Sequence, residues 1–127
     1  MKLDKYFKKG KIIVSKENFA ILKSRNAMPG SFAVIKFKDE ITCVIDAKKI
    51  IKKYALKTNK GWKLITFDIQ TPLELVGFMA KISERLAKEK IAVNSISAYS
   101  RDHILVRKQD ISKAIKVLRK LGFKNKT

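Results

Sequence analysis

Between Trp62 and Leu86 the hydrophobic period changes from two residues to 3.6 within a few positions, and this change limits the fold more than any other feature. The stretch WKLITFDI alternates, with Lys63, Ile65, Phe67 and Ile69 on one face, and reads as a strand. After Gln70, Thr71 stands as an N-cap, Pro72 as a first helical residue and Glu74 as the reciprocal partner of a capping box, which predicts a helix start. Leu75, Met79, Ile82 and Leu86 then follow helical spacing. Val76 and Phe78 widen the apolar stripe, while Lys81, Glu84, Arg85 and Lys88 take the wet side.

Two further strands follow, Ile91 to Tyr99 and His103 to Lys108, joined through Ser100-Arg101-Asp102 as a hairpin. Asp110 is the expected N-cap of a second helix with Ile111, Ala114, Ile115, Leu118 and Leu121 as its buried stripe and Gly122 as its stop. The order is strand, helix, strand, strand, helix. Ile104 and Val106 alternate with His103, Leu105 and Arg107, so helices should cover one face of the hairpin, while Leu105 asks for cover on the other.

The first sixty residues match this order in part. Phe19 to Leu22 is strand-like, Ser24 to Ser31 is a loop, and Phe32 to Lys38 with Ile41 to Asp46 predicts a hairpin around Asp39-Glu40. A short helix is expected over Ala47 to Lys53. Setting KDEITCVIDAKKIIKK beside RDHILVRKQDISKAIKV places Asp39 opposite Asp102 and Ile41 opposite Ile104. After a one-residue gap, Asp46 falls opposite Asp110, and Ile50 and Ile51 fall opposite Ala114 and Ile115. This pattern reads as an internal repeat whose first copy has lost its long helix.

Composition narrows the function. The 46% hydrophobic content is spread over short runs, none near the roughly 20 apolar residues of a membrane span. The start MKLDKYFKKGKIIV lacks the apolar core and small-residue cleavage site of a secretory signal, so a cytoplasmic protein is expected. A single cysteine excludes an internal disulfide and a thiolate metal cage, and Cys43 in its apolar strand reads as a buried inert thiol. No catalytic nucleophile with a base, paired carboxylates or Gly-rich phosphate loop is evident. Asp102 and His103, as strand neighbours, point to opposite faces and form no dyad. No enzyme, cofactor or metal is expected.

The net charge of +19 raises a nucleic-acid reading, because Lys and Arg neutralise phosphates and release counterions. Its spread along the chain is even, at +11 over residues 1–60 and +8 over residues 61–127. Lysine also outweighs arginine, the residue suited to bidentate reading of bases and phosphates. A solvated Lys-rich surface is the plain alternative.

Gly61-Trp62-Lys63, Pro72-Leu73 with Val76-Gly77, Ile96-Ser97 with Tyr99, and Asp102-His103-Ile104-Leu105-Val106-Arg107 with Asp110 together resemble the tandem ACT-domain proteins. The nearest likeness is to small prokaryotic members related to the ACT modules of the animal cytosolic arginine sensors called CASTOR. It covers Gly61 to Gly122 well and Phe32 to Ala47 moderately, and residues 1–17 lie outside it. The resemblance implies an α+β ferredoxin-like fold, an antiparallel sheet with helices on one face. Two ACT-like units are implied, a truncated one over residues 1–60 that includes the basic amino-terminal extension and a complete one over residues 61–127. A homodimer or a tight intrachain pair is the expected assembly.

Relatives commonly bind a small amino acid at the interface between ACT units. The resemblance carries that role to the turn containing Thr71, Leu75, Val76 and Gly77, to Ser97 and Tyr99 on the following strand, and to Asp102 as acceptor of a ligand cation. Each residue also has a structural reading: Gly77 in close packing against the sheet, Asp102 bonded to its own backbone, Ser97 as a small residue under a helix, and Tyr99 as a core ring with a wet hydroxyl. Val76, Leu75 and Thr71 fit equally as turn and stripe residues. His103 takes a place where relatives often have an aromatic ring and is read as capping the second sheet face. Ala98 replaces the family's usual threonine, and Arg101 stands beside the aspartate, where it could pair with Asp102 or select an acidic ligand. The competing readings are a nucleic-acid binder, for which at most His103 and Tyr99 could stack bases, and an ACT module that only dimerises or docks.

Overall fold

The structure is a computed structural model that describes residues 3–126. Two compact units arise from its contacts, one formed by residues 3–15 with 63–126 and the other by residues 16–62. The amino-terminal segment thus belongs with the carboxy-terminal unit.

That unit contains α1 (Leu3–Lys9), β1 (Lys11–Val14), the second half of the long β5 (Ala55–Asp68), α2 (Phe78–Lys88), β6 (Val93–Ser97), β7 (Asp102–Arg107), α3 (Ile111–Leu121) and β8 (Lys124–Asn125). Its strands run in the order β6-β7-β5-β1-β8. β1 is antiparallel to β5, from Lys11 opposite Asp68 to Val14 opposite Ile65, and parallel to β8. β6 and β7 are antiparallel, from Val93 opposite Val106 to Ser97 opposite Asp102.

Alternation decides what is buried. Ile65, Phe67, Ile104 and Val106 face the helices and pack with Phe78, Ile82 and Leu86 of α2 and with Ala114 and Leu118 of α3. This is an α+β, antiparallel-dominated sheet with helices on one face. Phe7 of α1 completes the core, its ring 5.4 Å from Phe123 and 5.6 Å from Phe78, while Phe67 lies 5.1 Å from Phe123. On the opposite face Leu64 and Leu105 are buried within the single chain, so Leu105 needs no partner molecule for cover. His103 also lies on that face, with Nδ1 2.8 Å from the Thr66 hydroxyl.

Three local expectations are corrected. α2 begins at Phe78 instead of after Thr71, because Gly77 takes φ 89° and ψ −1°, a left-handed conformation that ends any right-handed run entering it. Glu74 is exposed and forms no capping box; Pro72 instead starts a turn in which the Leu75 N–H donates to its carbonyl at 3.0 Å. The hairpin turn is Ala98 to Arg101, closed by the Ala98 N–H on the Arg101 carbonyl at 2.9 Å, so Asp102 is a strand residue and not a turn residue. Asp110 does not cap α3 with its side chain, since a single turn of 3-10 helix, Lys108–Asp110, leads directly into it. Gly122, at φ 127°, stops α3 as its sequence position implies.

The second unit contains β2 (Phe19–Ser24), β3 (Ala33–Phe37), β4 (Glu40–Asp46) and the first half of β5, in the order β3-β4-β2-β5. Ala20, Leu22, Met28, Cys43 and Ile45 form its buried cluster, and the Cys43 thiol is free and buried. The turn falls at Lys38-Asp39, with Lys38 at φ 51°. In place of the expected helix over Ala47 to Lys53 stand two 3-10 turns, Ala47–Lys49 and Lys52–Tyr54, separated by Ile50 and Ile51 in extended conformation. Among the described residues this unit has no α-helix. No helix among them is long and apolar enough to cross a membrane.

Candidate functional site

A cleft of about 260 Å³ opens in the carboxy-terminal unit between the loop after β5, the start of α2, and the turn end of the β6–β7 hairpin. Backbone bonds hold these parts in place. The Thr71 N–H donates to the Ser100 carbonyl at 3.0 Å and ties the loop to the hairpin turn, while the Lys81 N–H donates to the Gly77 carbonyl at 3.0 Å and opens the helix. Six of the seven residues singled out from the sequence line the cleft, namely Thr71, Leu75, Gly77, Ser97, Tyr99 and Asp102. Val76 does not; it is 83% exposed and stands outside the lining.

Several structural alternatives fail. Tyr99 is 83% exposed and is no core ring, and Ser97 is exposed instead of lying under a helix. Gly77 is required by its positive φ; a Cβ there would also meet Leu3 Cδ1 of α1 at 3.2 Å, so the sheet is not the close neighbour. The Asp102 carboxylate makes no hydrogen bond or ion pair among the described residues, to its own backbone or elsewhere.

Arg101 explains why Asp102 is left alone. Its Nε donates to Asp68 Oδ1 at 2.8 Å, and Lys126 Nζ donates to the other oxygen, Oδ2, at 2.7 Å. Hydrogen bonds from Lys126 and then Arg101 hold the Asp68 carboxyl below its ordinary pKa. Arg101 therefore neither pairs with Asp102 nor enters the cleft, and Asp102 is the one formally charged residue in the lining.

Phe78, Met79 and Ala80 also line the cleft. As the first residues of α2 their N–H groups have no carbonyl one turn earlier to bond, and Gly77 has no side chain to cap them. Sequence reasoning placed the helix start six residues too early and so missed these three donors. The signal that could have found them was Gly77 itself, a poor residue inside a helix and a good one at the point where the backbone reverses. Helix-start N–H donors and an unpaired carboxylate in one lining make the cleft bipolar. Its volume falls below the roughly 300–1,000 Å³ of drug-sized pockets, which selects for a small ligand.

A strand, a cleft-forming loop, a helix, a hairpin and a second helix on one sheet face define the ferredoxin-like α+β class. Within it the chain belongs to the ACT-domain family, whose model matches residues 57–120. Among solved structures, a protein of Agobacterium tumefaciens is similar at 21% identity and TM-score 0.78, with 92% of each chain covered. A protein of unknown function from Vibrio cholerae, described as a possible transport protein, is similar at 21% identity and TM-score 0.77, covering 94% of this chain and 95% of its own. The ligand-free regulatory subunit of aspartate kinase from Thermus thermophilus has 8% identity and TM-score 0.64, with 89% and 96% covered. No curated protein matches the sequence.

Proposed function

We propose that the chain is an amino-acid-binding regulatory module whose ligand occupies this cleft. The observation that supports the reading is bipolarity: the start of α2, whose first N–H groups have no side-chain cap, and the unpaired carboxylate of Asp102 share the lining of one small cleft. An α-amino acid carries complementary charges on adjacent groups. Its α-carboxylate accepts from the N–H groups of Phe78 to Ala80, where a helix start contributes about 0.3–1 kcal/mol and up to about 2 when partly buried. Its α-ammonium donates to Asp102 in a charge-assisted hydrogen bond. Thr71, Leu75, Ser97 and Tyr99 then surround the side chain, and Gly77 shapes the turn. Val76 plays no part in holding the ligand. The module acts by binding and carries no catalytic group of its own.

All of the cleft's lining comes from one unit, and its mouth carries the exposed Leu73, Tyr99 and, beside it, Val76. A second copy of the chain is the cover we assign to this apolar rim, so the ligand site becomes an interface between ACT units in a homodimer. The reading includes a cytoplasmic setting and no cofactor. The other unit, residues 16–62, is then a reduced ACT-like copy that supports the fold and binds no amino acid.

Thermal unfolding against each of the twenty amino acids at millimolar concentration tests the proposal. One or a few related amino acids should raise the melting point, since a hundredfold excess over Kd adds about 2.7 kcal/mol. Asp102→Asn should remove the response while leaving the unliganded melting point nearly unchanged. A flat response to all twenty, or a response that survives Asp102→Asn, overturns the assignment.

A further inference from the structure

Five cations of the helical layer line one groove. A second groove, of about 320 Å³, runs between α2 and α3 on the outer side of the helical layer. Arg85 and Lys88 from α2 and Lys113, Lys116 and Lys120 from α3 line it, with Glu89 as its single carboxylate. The spacings of three and four residues put each set on one helix face. From Lys113 to Lys120 the α3 stripe covers about 10 Å at ~1.5 Å per residue. α3 contains no acidic residue at all.

These cations are not balanced locally. Among the described residues Lys88, Lys113, Lys116 and Lys120 form no ion pair or hydrogen bond, and Arg85 reaches only its neighbour Glu84, at 3.9 Å. Arg85 Nε is the one buried side-chain nitrogen or oxygen among the described residues with no hydrogen-bond partner.

We propose that this groove binds the phosphodiester backbone of nucleic acid, without reading its sequence. A strand presents one phosphate per ~3.4 Å of duplex axis, so a stripe of this length meets about three in succession. Lysine provides point charges for phosphate but no bidentate fork, and no aromatic ring lines the groove to stack a base, which removes sequence preference. The same composition argues against other anionic partners. None of the exposed large hydrophobic side chains belongs to α2 or α3, so this face has no apolar wedge for a lipid surface. A lysine-dominated lining is also the reverse of protein interfaces, which are depleted in lysine and enriched in aromatic residues.

Fluorescence anisotropy on the full chain, with labelled DNA and RNA duplexes and single strands of about 20 nucleotides, tests the proposal between about 50 and 200 mM salt. Five phosphate contacts predict a slope of log affinity against log salt near about −4.5, a loss of roughly 10²–10³-fold over that range. The triple variant Lys113→Glu, Lys116→Glu, Lys120→Glu should weaken binding by more than about tenfold and flatten the slope by about 3. The milder triple Lys113→Gln, Lys116→Gln, Lys120→Gln should do the same in a smaller degree, with a circular dichroism spectrum like that of the parent. As the control, Lys48→Glu, Lys49→Glu, Lys52→Glu makes the same change in net charge on residues of the other unit that do not line the groove, and should cost little. The proposal fails if nucleic acid is not bound at the lowest salt, or if control and groove triples lose affinity equally. It fails also if phosphatidylserine vesicles bind the chain and nucleic acid does not.

Discussion

The hairpins β3–β4 and β6–β7 begin from comparable sequence, with Asp39 and Ile41 in one where Asp102 and Ile104 stand in the other, and they end in different surroundings. After β7 the apolar positions continue at helical spacing and produce the eleven residues of α3. After β4 the adjacent Ile50 and Ile51 stay extended, and two three-residue turns take the helix's place. Ahead of β6 lies α2, whereas ahead of β3 lies a loop that contributes Met28 to the core. A hairpin can be sealed either way, but only a helix start placed beside the hairpin turn creates a cleft with free N–H donors. The difference between the units is therefore a difference in available chemistry as well as in length of helix.

The largest test of that contrast is Phe7→Ala set against Phe37→Ala. Phe7 is 1% exposed in the four-ring core of the helical unit, and truncation should cost about 3–5 kcal/mol in denaturant unfolding. Phe37, on the outermost strand β3, is 66% exposed, and its truncation should stay within about 0.5 kcal/mol. Comparable losses at the two sites would mean that the residue 16–62 unit has cover at β3 that the single chain does not supply.

Gly77→Ala comes next. The left-handed conformation should cost about 1–2 kcal/mol for a residue with a Cβ, and the added atom meets Leu3 at 3.2 Å. Relief through a shifted backbone would move the N–H groups of Phe78 to Ala80, so amino-acid-dependent stabilisation should weaken together with stability. Gly30, also at positive φ (82°) but in the loop before β3, has only the flexible Lys49 side chain near it, at 3.4 Å. Gly30→Ala should carry the backbone cost alone and leave any ligand response intact.

Much of the helical unit was legible because its periodicities are long and unmixed: WKLITFD is strand, and the stripe from Phe78 to Leu86 and that from Ile111 to Leu121 are helix, although Leu75 and Val76 precede α2. The helix start is hidden because Thr71, Pro72 and Glu74 supply every local sign of a cap, while the Thr71 N–H is taken by the carbonyl of Ser100, far along the chain. A tertiary bond of that kind leaves no trace in a local pattern. The segment Leu3–Lys9 was missed for a related reason: seven residues with one buried ring, Phe7, are too few to show a period, and they fold by docking onto Phe78 and Phe123. Six of the cleft-lining residues were named from the family likeness, whereas Phe78, Met79 and Ala80 were not, and the choice of Arg101 between Asp102 and Asp68 depended on where β5 ends.

A smaller effect belongs to Asp68, which anchors Arg101 and Lys126 and so keeps the Asp102 side of the cleft clear. Its folded pKa is depressed below the ordinary value of 3.8 by those two hydrogen bonds. Its stabilisation is therefore complete above pH 3.8 and is lost as pH falls through the still lower folded value. Asp68→Asn should be modestly less stable than the parent at neutral pH and show a shallower acid limb below that point. The exposed pairing with solvent-screened partners keeps the effect small. If Arg101 turns toward Asp102 in the variant, the response to an amino acid should fall as well.

The smallest and most local prediction concerns His103, whose counterpart in the other hairpin, Glu40, is exposed at the start of β4. His103 is half-buried, with Nδ1 2.8 Å from the Thr66 hydroxyl. Desolvation lowers its pKa below 6.5; Asp102 opposes that shift and Arg101 adds to it. The unfolded chain then holds its proton at a higher pH than the folded chain does. Stability from the neutral ring is complete above the ordinary value of 6.5 and is lost as pH falls through it, levelling off once the folded ring is protonated too. His103→Gln, which keeps an acceptor for the Thr66 hydroxyl and carries no titratable proton, should unfold with a midpoint nearly constant from pH 7.5 down to about 5.5, where the parent declines. Asp102→Asn sharpens the test, because removing the group that raises the His103 pKa should shift the onset of proton uptake by the folded state to lower pH and deepen the decline. A parent curve that is flat over this interval would place the imidazole in water, with the second sheet face as open around His103 as the β3–β4 hairpin is around Glu40.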